Sequence, residues 1–338
     1  MPRRIILTLD YELFFLNSGT PEKSILRPTK TLLDFLKEQG ISATFFVDTT
    51  YLNKLNSSSD SYDQCIFEQI KRQLQEIISS GSRIELHLHP HWIDAIKDGQ
   101  RWEFPSYQHY KLNSLSKTEI EKLFSEGVSI LHNIAWGVDP NYRITSFRAG
   151  GWCVDPFLDI KTILKDNHIF IDSSACPGLF LSGDVHSVDY RDLSASPFYR
   201  FTNSIREPNE KGEFLEVPVN GFTYSAFERS LWLLKSRVFR RKARIWGDGV
   251  GMPSIKNMSK MSKVISILKN ERYFSQYTLD GYVDKKLLYN KILDSELPII
   301  SIVAHPKTLT SSSLDALSYL KDKGCVFFTL KSIGDEIV

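Results

Sequence analysis

Three of the chain's eight histidines stand at every second position of one short stretch, IELHLHPHW (residues 84–92). Packing does not explain this density, because each buried imidazole brings a polar nitrogen that needs a partner. A metal ion supplies one. His87 and His91 are four residues apart, with Pro90 turning the chain between them. Two neutral imidazoles and one carboxylate make a three-ligand site with an open position for water, so the stretch predicts metal ligation by His87 and His91.

An acidic pair at the end of the first apolar run is a source of that carboxylate. In RIILTLDYE, Asp10 and Glu12 flank Tyr11. Residues two apart share one face of a strand, so the two carboxylates converge while Tyr11 points away. Barrels of strands and helices build their active sites at the carboxyl ends of the strands, where these acids lie. Alone, the pair fits a solvated strand end equally well.

Two later segments carry further candidates. Arg148 lies in SFRAGGWCVD, where its guanidinium can pair with a catalytic carboxylate and hold it ionised. Gly150 and Gly151 follow it and let backbone N–H groups approach a substrate closely. His305 ends a late apolar run in AHPKTL. Alone, each fits a surface arginine or a structural histidine, so their function depends on a fold that brings them to the acids and imidazoles.

The elements that must position these residues alternate between apolar strand patterns and amphipathic helix patterns along the chain. Strands are predicted at RIILTLDYE, ISATFFVD, RIELHLH, ITSFRA, IFIDSS, FLEVPV, LPIISIVAH and CVFFTL. Helices are predicted at PTKTLLDFLKEQG, QIKRQLQEIISSG, 117–136, after Asp155 and at SSLDALSYLKDKG. This alternation predicts a mostly parallel sheet. With no dinucleotide fingerprint, we expect a distorted (β/α) barrel of about seven parallel strands in one domain, 1–338.

Residues 225–290 break this rhythm and are predicted to be a helical, basic insertion before the last strands. Six Lys or Arg residues lie between Lys235 and Arg244 with no acid among them. The segment 231–246 is predicted to be a solvated surface helix, or else an interfacial helix on an anionic membrane. The glycine-rich GDGVG at 247–251 lies in this insertion and is predicted to be a plain loop rather than a phosphate cradle.

Composition narrows the class of protein. The 338 residues are 42% hydrophobic and 24% charged, as in an ordinary globular protein. A net charge of +2 gives no global attraction to nucleic acid, which we exclude as a partner. The four cysteines form no CxxC pair and fit a reducing compartment. The acids at Asp10 and Glu12 interrupt the N-terminal run, which argues against a signal peptide and predicts a cytoplasmic protein.

The motifs TLDYE, HLHPH, FRAGG, DSS, EVPV and AHP occur in an order that resembles the polysaccharide deacetylase (NodB-homology) family. The resemblance spans about residues 4 to 330, apart from the insertion. It implies a distorted α/β barrel that hydrolyses N-acetyl groups of sugars. It is nearest to a WbmS-like branch tied to bacterial surface-polysaccharide synthesis, with lipopolysaccharide and O-antigen among its products.

The resemblance assigns roles to the candidates. Asp10 matches the catalytic base, and Glu12 matches the metal ligand of branches with an acid-x-acid motif, because Tyr11 replaces the usual second aspartate. His87 and His91 match the H-x-x-x-H ligand pair. Arg148 matches the arginine that aligns the base, although glycines replace the usual proline and aromatic after it. His305 matches the general acid.

The implied cofactor is a divalent metal ion: zinc first, with cobalt, nickel or manganese as alternatives. The implied substrate is an N-acetylated amino sugar, nucleotide- or polyprenyl-linked because a cytoplasmic enzyme meets precursors. Segment 231–246 would bring the enzyme to the inner face of the membrane. Seven further residues are predicted to contact substrate: Tyr11, His89, Trp92, Gly150, Gly151, Trp152 and Asp172.

Three alternatives remain open. A hydrolase of the same fold would cleave a small cyclic or linear amide. An amidohydrolase-type enzyme would use His87 and His89 as its ligand pair, although that class places its HxH on the first strand. A non-catalytic carbohydrate-binding relative would have lost its metal aspartate at position 11. His89 otherwise lies beside the metal or bonds to backbone.

Overall fold

A computed structural model describes residues 2–251, 268–269 and 271–337. Its central sheet has nine strands, and further short strands pair in two-stranded ribbons. The nine strands of the central sheet are β1 (Arg4–Tyr11), β2 (Thr44–Asp48), β3 (Arg83–Leu88), β6 (Ser146–Ala149), β7 (Ile171–Asp172), β10 (Tyr199–Phe201), β11 (Phe214–Glu216), β14 (Ile299–Ala304) and β15 (Val326–Phe328). The ribbons pair β4 (Ile96–Asp98) with β5 (Arg101–Glu103), β8 (Phe180–Leu181) with β9 (Val188–Asp189), and β12 (Gly221–Ser225) with β13 (Arg272–Gln276).

The central sheet runs in the order β10-β11-β7-β6-β3-β2-β1-β14, and β15 also pairs with β1. All of these pairings are parallel except that of β10 with β11. One edge of β1 is shared, because β15 pairs with its first residues and β2 with its last. The carboxyl ends of the parallel strands therefore open on one side, where the functional residues follow.

Irregular backbone contacts bridge the space between the two outer regions of the sheet. The N–H of Val219 donates to the carbonyl of Ala175 (2.8 Å). The N–H of Tyr277 donates to Asn220, and the N–H of Val303 in β14 donates to Tyr277, both at 3.0 Å. These bonds connect the region after β11 with β14, so the sheet forms a distorted barrel instead of a continuous ladder.

Helices cover the outside of the sheet. The nine described α-helices are α1 (Arg27–Gln39), α2 (Thr49–Asn56), α3 (Ser61–Ser79), α4 (Lys117–Ala135), α5 (Leu158–Asp166), α6 (Ala226–Val238), α7 (Lys285–Leu293), α8 (Ser311–Asp322) and α9 (Leu330–Ile337). Local signals mark their ends. Helix α1 ends at Gly40 in the left-handed conformation (φ 60°). Helix α4 begins with a capping box in which Ser116 and Glu119 bond each other's backbone N–H.

The predicted fold class is confirmed: the molecule is a mixed α/β protein with a curled, mostly parallel sheet. Each predicted strand corresponds to an observed strand, and the helices predicted between these strands correspond to α1, α3, α4, α5 and α8. The helix predicted at 231–246 is only partly correct, because α6 ends at Val238 and turns follow it. The sequence patterns missed α2, which follows β2 directly and is capped by the Asp48 side chain. They also missed the short ribbons, because strands of two or three residues are too short for a periodic pattern.

The predicted insertion, 225–290, includes 252–267 and 270, which lie outside the described residues. Its described part contains α6, β13 and the start of α7. Residues 277–279 also pair with β14 through backbone bonds, so the end of this stretch helps to complete the barrel. The insertion's boundaries stay a prediction.

In the described part of the chain, no helix combines the length and apolar character needed to cross a membrane. All four cysteines are free, and only Cys65 is exposed. The interior is one large apolar cluster that joins the sheet to the helices, with a second, smaller cluster around Ile6 and Phe46.

Candidate active site

The chemistry-bearing residues assemble where the parallel strands end. Asp10 lies near the end of β1, His87 near the end of β3, and Arg148 in β6. His87 and Arg148 are direct register partners, because β3 and β6 pair side by side. His305 directly follows β14, which pairs with β1 on its other side. The topology therefore brings together residues that are up to 295 positions apart.

These side chains enclose a cavity of about 180 Å³. Polar and ionisable groups line most of it, and aromatic rings form part of the wall. The lining residues are Asp10, Glu12, Leu13, Phe15, His87, His89, His91, Tyr110, Ala149, Gly151, Trp152, His305 and Lys307.

Arg148 holds Asp10 from the interior of the barrel. Its side chain is fully buried, and its Nη1 donates to Asp10 Oδ1 at 2.5 Å. Three further donors are used: Nε bonds to the carbonyl of Ser173, and Nη2 bonds to the hydroxyls of Thr8 and Ser173. A guanidinium fixed in this way aims one oxygen of Asp10 and leaves the other toward the cavity.

Glu12, His87 and His89 form the one group among the described residues whose potential metal-ligand atoms all lie within 4.8 Å of one another. Nδ1 of His87 donates to the carbonyl of Arg148 (2.7 Å), so the neutral imidazole has its lone pair on Nε2. That lone pair faces Glu12 Oε2 at 3.1 Å, and Nε2 of His89 contacts the same oxygen. A carboxylate oxygen and an imidazole lone pair repel each other unless a cation, either a metal ion or a proton on the ring, lies between them. The donor set therefore fits a divalent metal ion.

His91 is buried against aromatic rings and lines the same cavity. Its ring centroid lies 4.6 Å from that of His89 and 4.4 Å from that of Phe15. Nδ1 of His91 and Nδ1 of His89 have no hydrogen-bond partner among the described residues. Burial holds the pKa of His91 well below its ordinary value, and the neighbouring His89 adds to this. Its ring is therefore neutral, as a metal ligand requires.

The geometry thus differs from the predicted ligand set in one member. The sequence predicted His91 with Glu12 and His87, whereas the structure groups His89 with them. The HxH spacing allows this because His87 and His89 project from the same face of β3 and the residue after it. Both imidazoles stay candidates for the third ligand.

His305 is held by Asp280, a residue that the sequence analysis missed. Asp280 Oδ1 accepts the backbone N–H of His305 (2.8 Å), and Oδ2 accepts Nδ1–H (2.7 Å). Nε2 of His305 then faces Asp10 and Glu12 at 3.5 and 3.6 Å. Burial lowers the pKa of His305, but Asp280, with Asp10 and Glu12, raises it to about 9. The imidazole is therefore set to donate a proton.

Lys307 is the second missed residue. Its Nζ donates to Glu12 Oε1 and to the carbonyl of Leu13, both at 2.6 Å. Burial by itself raises the pKa of Glu12, but Lys307 and the two histidines, His89 and His87, outweigh it and hold that pKa well below its ordinary value. Glu12 is therefore ionised.

The predicted substrate contacts divide into two groups. His89, Gly151 and Trp152 line the cavity. Gly151 has a left-handed backbone (φ 60°), and its carbonyl accepts a hydrogen bond from His186 Nε2 (2.6 Å). Gly150 lies behind this surface, where a Cβ would come within 2.5 Å of His89 Nδ1.

Tyr11, Trp92 and Asp172 do not line the cavity, so the structure does not support the substrate contacts predicted for them. The Tyr11 hydroxyl donates to Gln73 on α3, as expected for a residue on the opposite strand face. Trp92 is buried, and its indole N–H donates to Asp48 (2.6 Å). Asp172 is buried and bonds to Ser174. These side chains support the site from the core.

No local pattern marked Asp280 or Lys307. Asp280 lies 25 residues before the histidine that it holds, within the predicted insertion. Lys307 follows Pro306 in a short 3-10 turn (Pro306–Thr308), where strand alternation gives no direction. The one available signal was the lysine's position two residues after His305 in AHPKTL.

The fold and the site define a barrel with a buried carboxylate–imidazole centre at its strand ends. Residues 3–155 match a family model described as polysaccharide deacetylase. This range includes Asp10, Glu12, the histidine stretch and Arg148 but ends before His305. The predicted resemblance to the polysaccharide deacetylase family is confirmed over these residues.

Among solved structures, a putative polysaccharide deacetylase from Mycobacterium smegmatis shares the fold, with a TM-score of 0.50 and 13% identity over 100% of this chain and 91% of that one. The catalytic domain of a peptidoglycan N-acetylglucosamine deacetylase from Eubacterium rectale aligns with a TM-score of 0.40 (11% identity; 98% and 89% covered). A CE4 family pseudoenzyme from Bacillus anthracis aligns at 0.41 (10%; 98% and 65%). No curated protein matches the chain.

Proposed function

We propose that this protein is a metal-dependent amide hydrolase that removes an N-acetyl or related N-acyl group from an amino sugar. The observation that carries the proposal is the pairing of Nε2 of His87 with Glu12 Oε2 at 3.1 Å, beside an Arg148-bound Asp10. The His87 tautomer leaves a lone pair directed at a carboxylate, an arrangement that a cation stabilises. The family match over residues 3–155 supports the same class of reaction.

The chain's own residues divide the chemistry. A divalent ion held by Glu12 and His87 would polarise the amide carbonyl and lower the pKa of a bound water. Asp10, aimed by Arg148, takes the proton of the attacking water. A backbone N–H of the glycine turn donates to the oxyanion. His305, oriented by Asp280, protonates the departing amine, without which the C–N bond breaks slowly.

We propose zinc as the native ion, since two imidazoles and one carboxylate with an open position are a common zinc set. Cobalt, nickel and manganese are alternatives, because imidazole and carboxylate ligands bind all of these divalent ions and the availability of each metal helps to decide which one occupies the site. The third ligand is an imidazole from the HLHPH stretch: the family pattern supports His91, and the grouping of ligand atoms supports His89.

We further propose that the substrate is a nucleotide- or polyprenyl-linked precursor of a bacterial surface polysaccharide, and that the protein acts in the cytoplasm in a WbmS-like role. Helix α6 supports contact with the inner face of the membrane. Phe227, Leu231, Leu234 and Val238 follow a helical spacing on α6 and are 42–68% exposed. Such an apolar stripe beside basic residues fits an anionic lipid surface.

Release of acetate tests the proposal. We would compare zinc-loaded and chelator-stripped protein on free N-acetylglucosamine oligomers, a nucleotide-linked N-acetyl sugar and a polyprenyl-diphosphate-linked N-acetyl sugar. Zinc-dependent release from a linked sugar is expected. Metal binding without release from any sugar would instead favour the carbohydrate-binding alternative, and release only from small amides would favour the small-amide hydrolase.

A further inference from the structure

The two carboxylate oxygens of Glu12 have different partners, and Lys307 binds one of them. Its Nζ binds Oε1 at 2.6 Å, while the other oxygen, Oε2, faces His87 and His89. The lysine side chain is 9% exposed. We propose that Lys307 is a positioning residue that occupies one oxygen of Glu12 and restricts this carboxylate to binding the metal ion through the other. This inference rests on the proposed function, because it requires a metal ion at Glu12.

The surrounding structure fixes Lys307 in this position. The carbonyl of Leu13 accepts a second hydrogen bond from Nζ, also at 2.6 Å. The backbone carbonyl of Lys307 accepts the N–H of Gly247 at 2.9 Å. A Cβ at position 247 would come within 2.5 Å of that carbonyl oxygen, so the close approach requires glycine. The GDGVG loop therefore has a structural use: it packs against the turn that carries Lys307.

A carboxylate that binds through one oxygen leaves more of the coordination sphere free than one that binds through two. Metal-dependent hydrolysis needs an open position for water in addition to the protein ligands. Hydrogen-bond partners of ligating carboxylates orient the ligand and set its share of the metal affinity. With Oε1 bound to Lys307, Glu12 is oriented before the ion arrives, and one position is kept free for water.

Two effects of the lysine oppose each other. Its charge repels a dication, whereas its hydrogen bond orients the ligand. The repulsion is reduced by distance, because Nζ binds Oε1, the oxygen of Glu12 that does not face His87 and His89. Loss of a partner to a ligating group typically costs about 10- to 100-fold in metal affinity. We therefore expect orientation to dominate.

The test is the zinc dissociation constant, measured by competition with a chromophoric chelator for the wild type, Lys307→Met and Lys307→Arg. Lys307→Met keeps most of the apolar stem and should weaken zinc binding by about 10- to 100-fold. Lys307→Arg restores a cationic donor and should recover part of the loss. In the cobalt-substituted Met variant, the visible absorption should fall in intensity, because Glu12 then binds through both oxygens and the coordination number rises.

Lys97→Met is the matched control. Lys97 also pairs with carboxylates, Asp60 and Asp63, at 2.9 and 2.8 Å, but it does not line the cavity. Its substitution should leave zinc affinity and the cobalt spectrum unchanged. Thermal unfolding of each metal-free variant separates a loss of folding from a loss of binding, and Lys307→Gln takes the place of the Met variant if that variant does not fold.

The outcomes separate the two proposals. If the wild type binds zinc and Lys307→Met binds it equally or more tightly, the positioning role is overturned while the proposed function stands. If the wild type binds no divalent ion, the proposed function fails and the role of Lys307 fails with it. Weaker binding in Lys307→Met with recovery in Lys307→Arg supports both.

Discussion

Asp280 binds His305 through both the backbone and the imidazole, at 2.8 and 2.7 Å. A third group, the Thr308 hydroxyl, donates to the same carboxylate at 2.6 Å. An acid that accepts Nδ1–H fixes the tautomer and the direction of the ring, as the aspartate of a serine-protease triad does. His305 therefore presents Nε2 to the cavity because Asp280 holds its other nitrogen.

The first prediction concerns this pair. Asp280→Asn should lower kcat by about 100-fold or more, because the amide lets the imidazole turn and no longer supports its cationic form. Zinc affinity should be unchanged. Steady-state kinetics of acetate release from the preferred N-acetyl sugar check the first point, and chelator competition checks the second.

Asp284→Asn is the control for that prediction. Asp284 caps helix α7 and pairs with Lys235, so its loss should affect stability but not kcat. Unchanged turnover in Asp280→Asn would show that His305 does not act as the general acid.

The second prediction distinguishes the two candidate third ligands. Glu12→Ala and His87→Ala should each weaken zinc binding by more than about 100-fold, because each removes a direct ligand. Loss of a group that only hydrogen-bonds to a ligand already costs about 10- to 100-fold. Only one of His89→Ala and His91→Ala should do the same. Zinc content after dialysis and the dissociation constant of each variant measure this.

The result assigns the ligand set directly. Loss of zinc in His91→Ala alone establishes the H-x-x-x-H pair that the family pattern predicts. Loss in His89→Ala alone establishes the H-x-H pair that the ligand-atom distances favour. If both variants retain zinc, neither imidazole is the third ligand.

The third prediction concerns two buried acids behind the site. Asp172 and Glu216 are register partners on β7 and β11, and Glu216 Oε2 has no hydrogen-bond partner among the described residues. Burial, with Asp172 nearby, raises the pKa of Glu216 well above its ordinary value. The folded state thus holds a proton that the unfolded state releases once the pH exceeds the ordinary value of about 4.3. The free energy of unfolding should fall as pH rises above that value.

Glu216→Gln keeps the shape and a donor toward Asp172 but does not titrate. It should therefore be close to the wild type in stability near pH 4 and more stable near pH 7.5, as urea unfolding at the two pH values would show. Glu213→Gln is the control, since Glu213 pairs with Lys161 and Lys165 at the surface. An equal pH dependence in wild type and Glu216→Gln would contradict the raised pKa of Glu216.

The fourth prediction concerns the membrane contact. Arg237, Arg240 and Arg241 are exposed next to the apolar stripe of α6. Each basic residue near an anionic surface contributes about 1 kcal/mol of attraction. The protein should co-sediment with vesicles rich in anionic lipid at low salt, and less so as salt rises. Reversal of these three arginines to glutamate should abolish the binding.

As a control, the reversal Lys117/Lys122→Glu changes two exposed lysines on α4, away from α6, and should leave vesicle binding in place. Phe227/Leu234→Ser tests the apolar part of the α6 surface. It should weaken vesicle binding, because the arginines then attract the protein to the lipid without apolar side chains to insert. Absence of wild-type binding at low salt would favour a nucleotide-linked substrate over a polyprenyl-linked one.

The sequence by itself determined which residue types stand at the strand ends. Alternation along β1 put Asp10 and Glu12 on one face and Tyr11 on the other, and the structure has Tyr11 bonded to Gln73 outside the cavity. The placement of His87, Arg148 and His305 followed from the rule that parallel strands present their carboxyl ends on one side. These features are local, so a periodic pattern is enough to predict them.

Tertiary structure alone decided which side chains meet. Lys307 reaches Glu12 across 295 residues, and Asp280 reaches His305 from a turn without periodic pattern. The choice between His89 and His91 depends on ring orientation after Pro90, which spacing does not fix. Contacts of this kind arise from the packing of distant loops against one another, and no stretch of sequence records that packing locally.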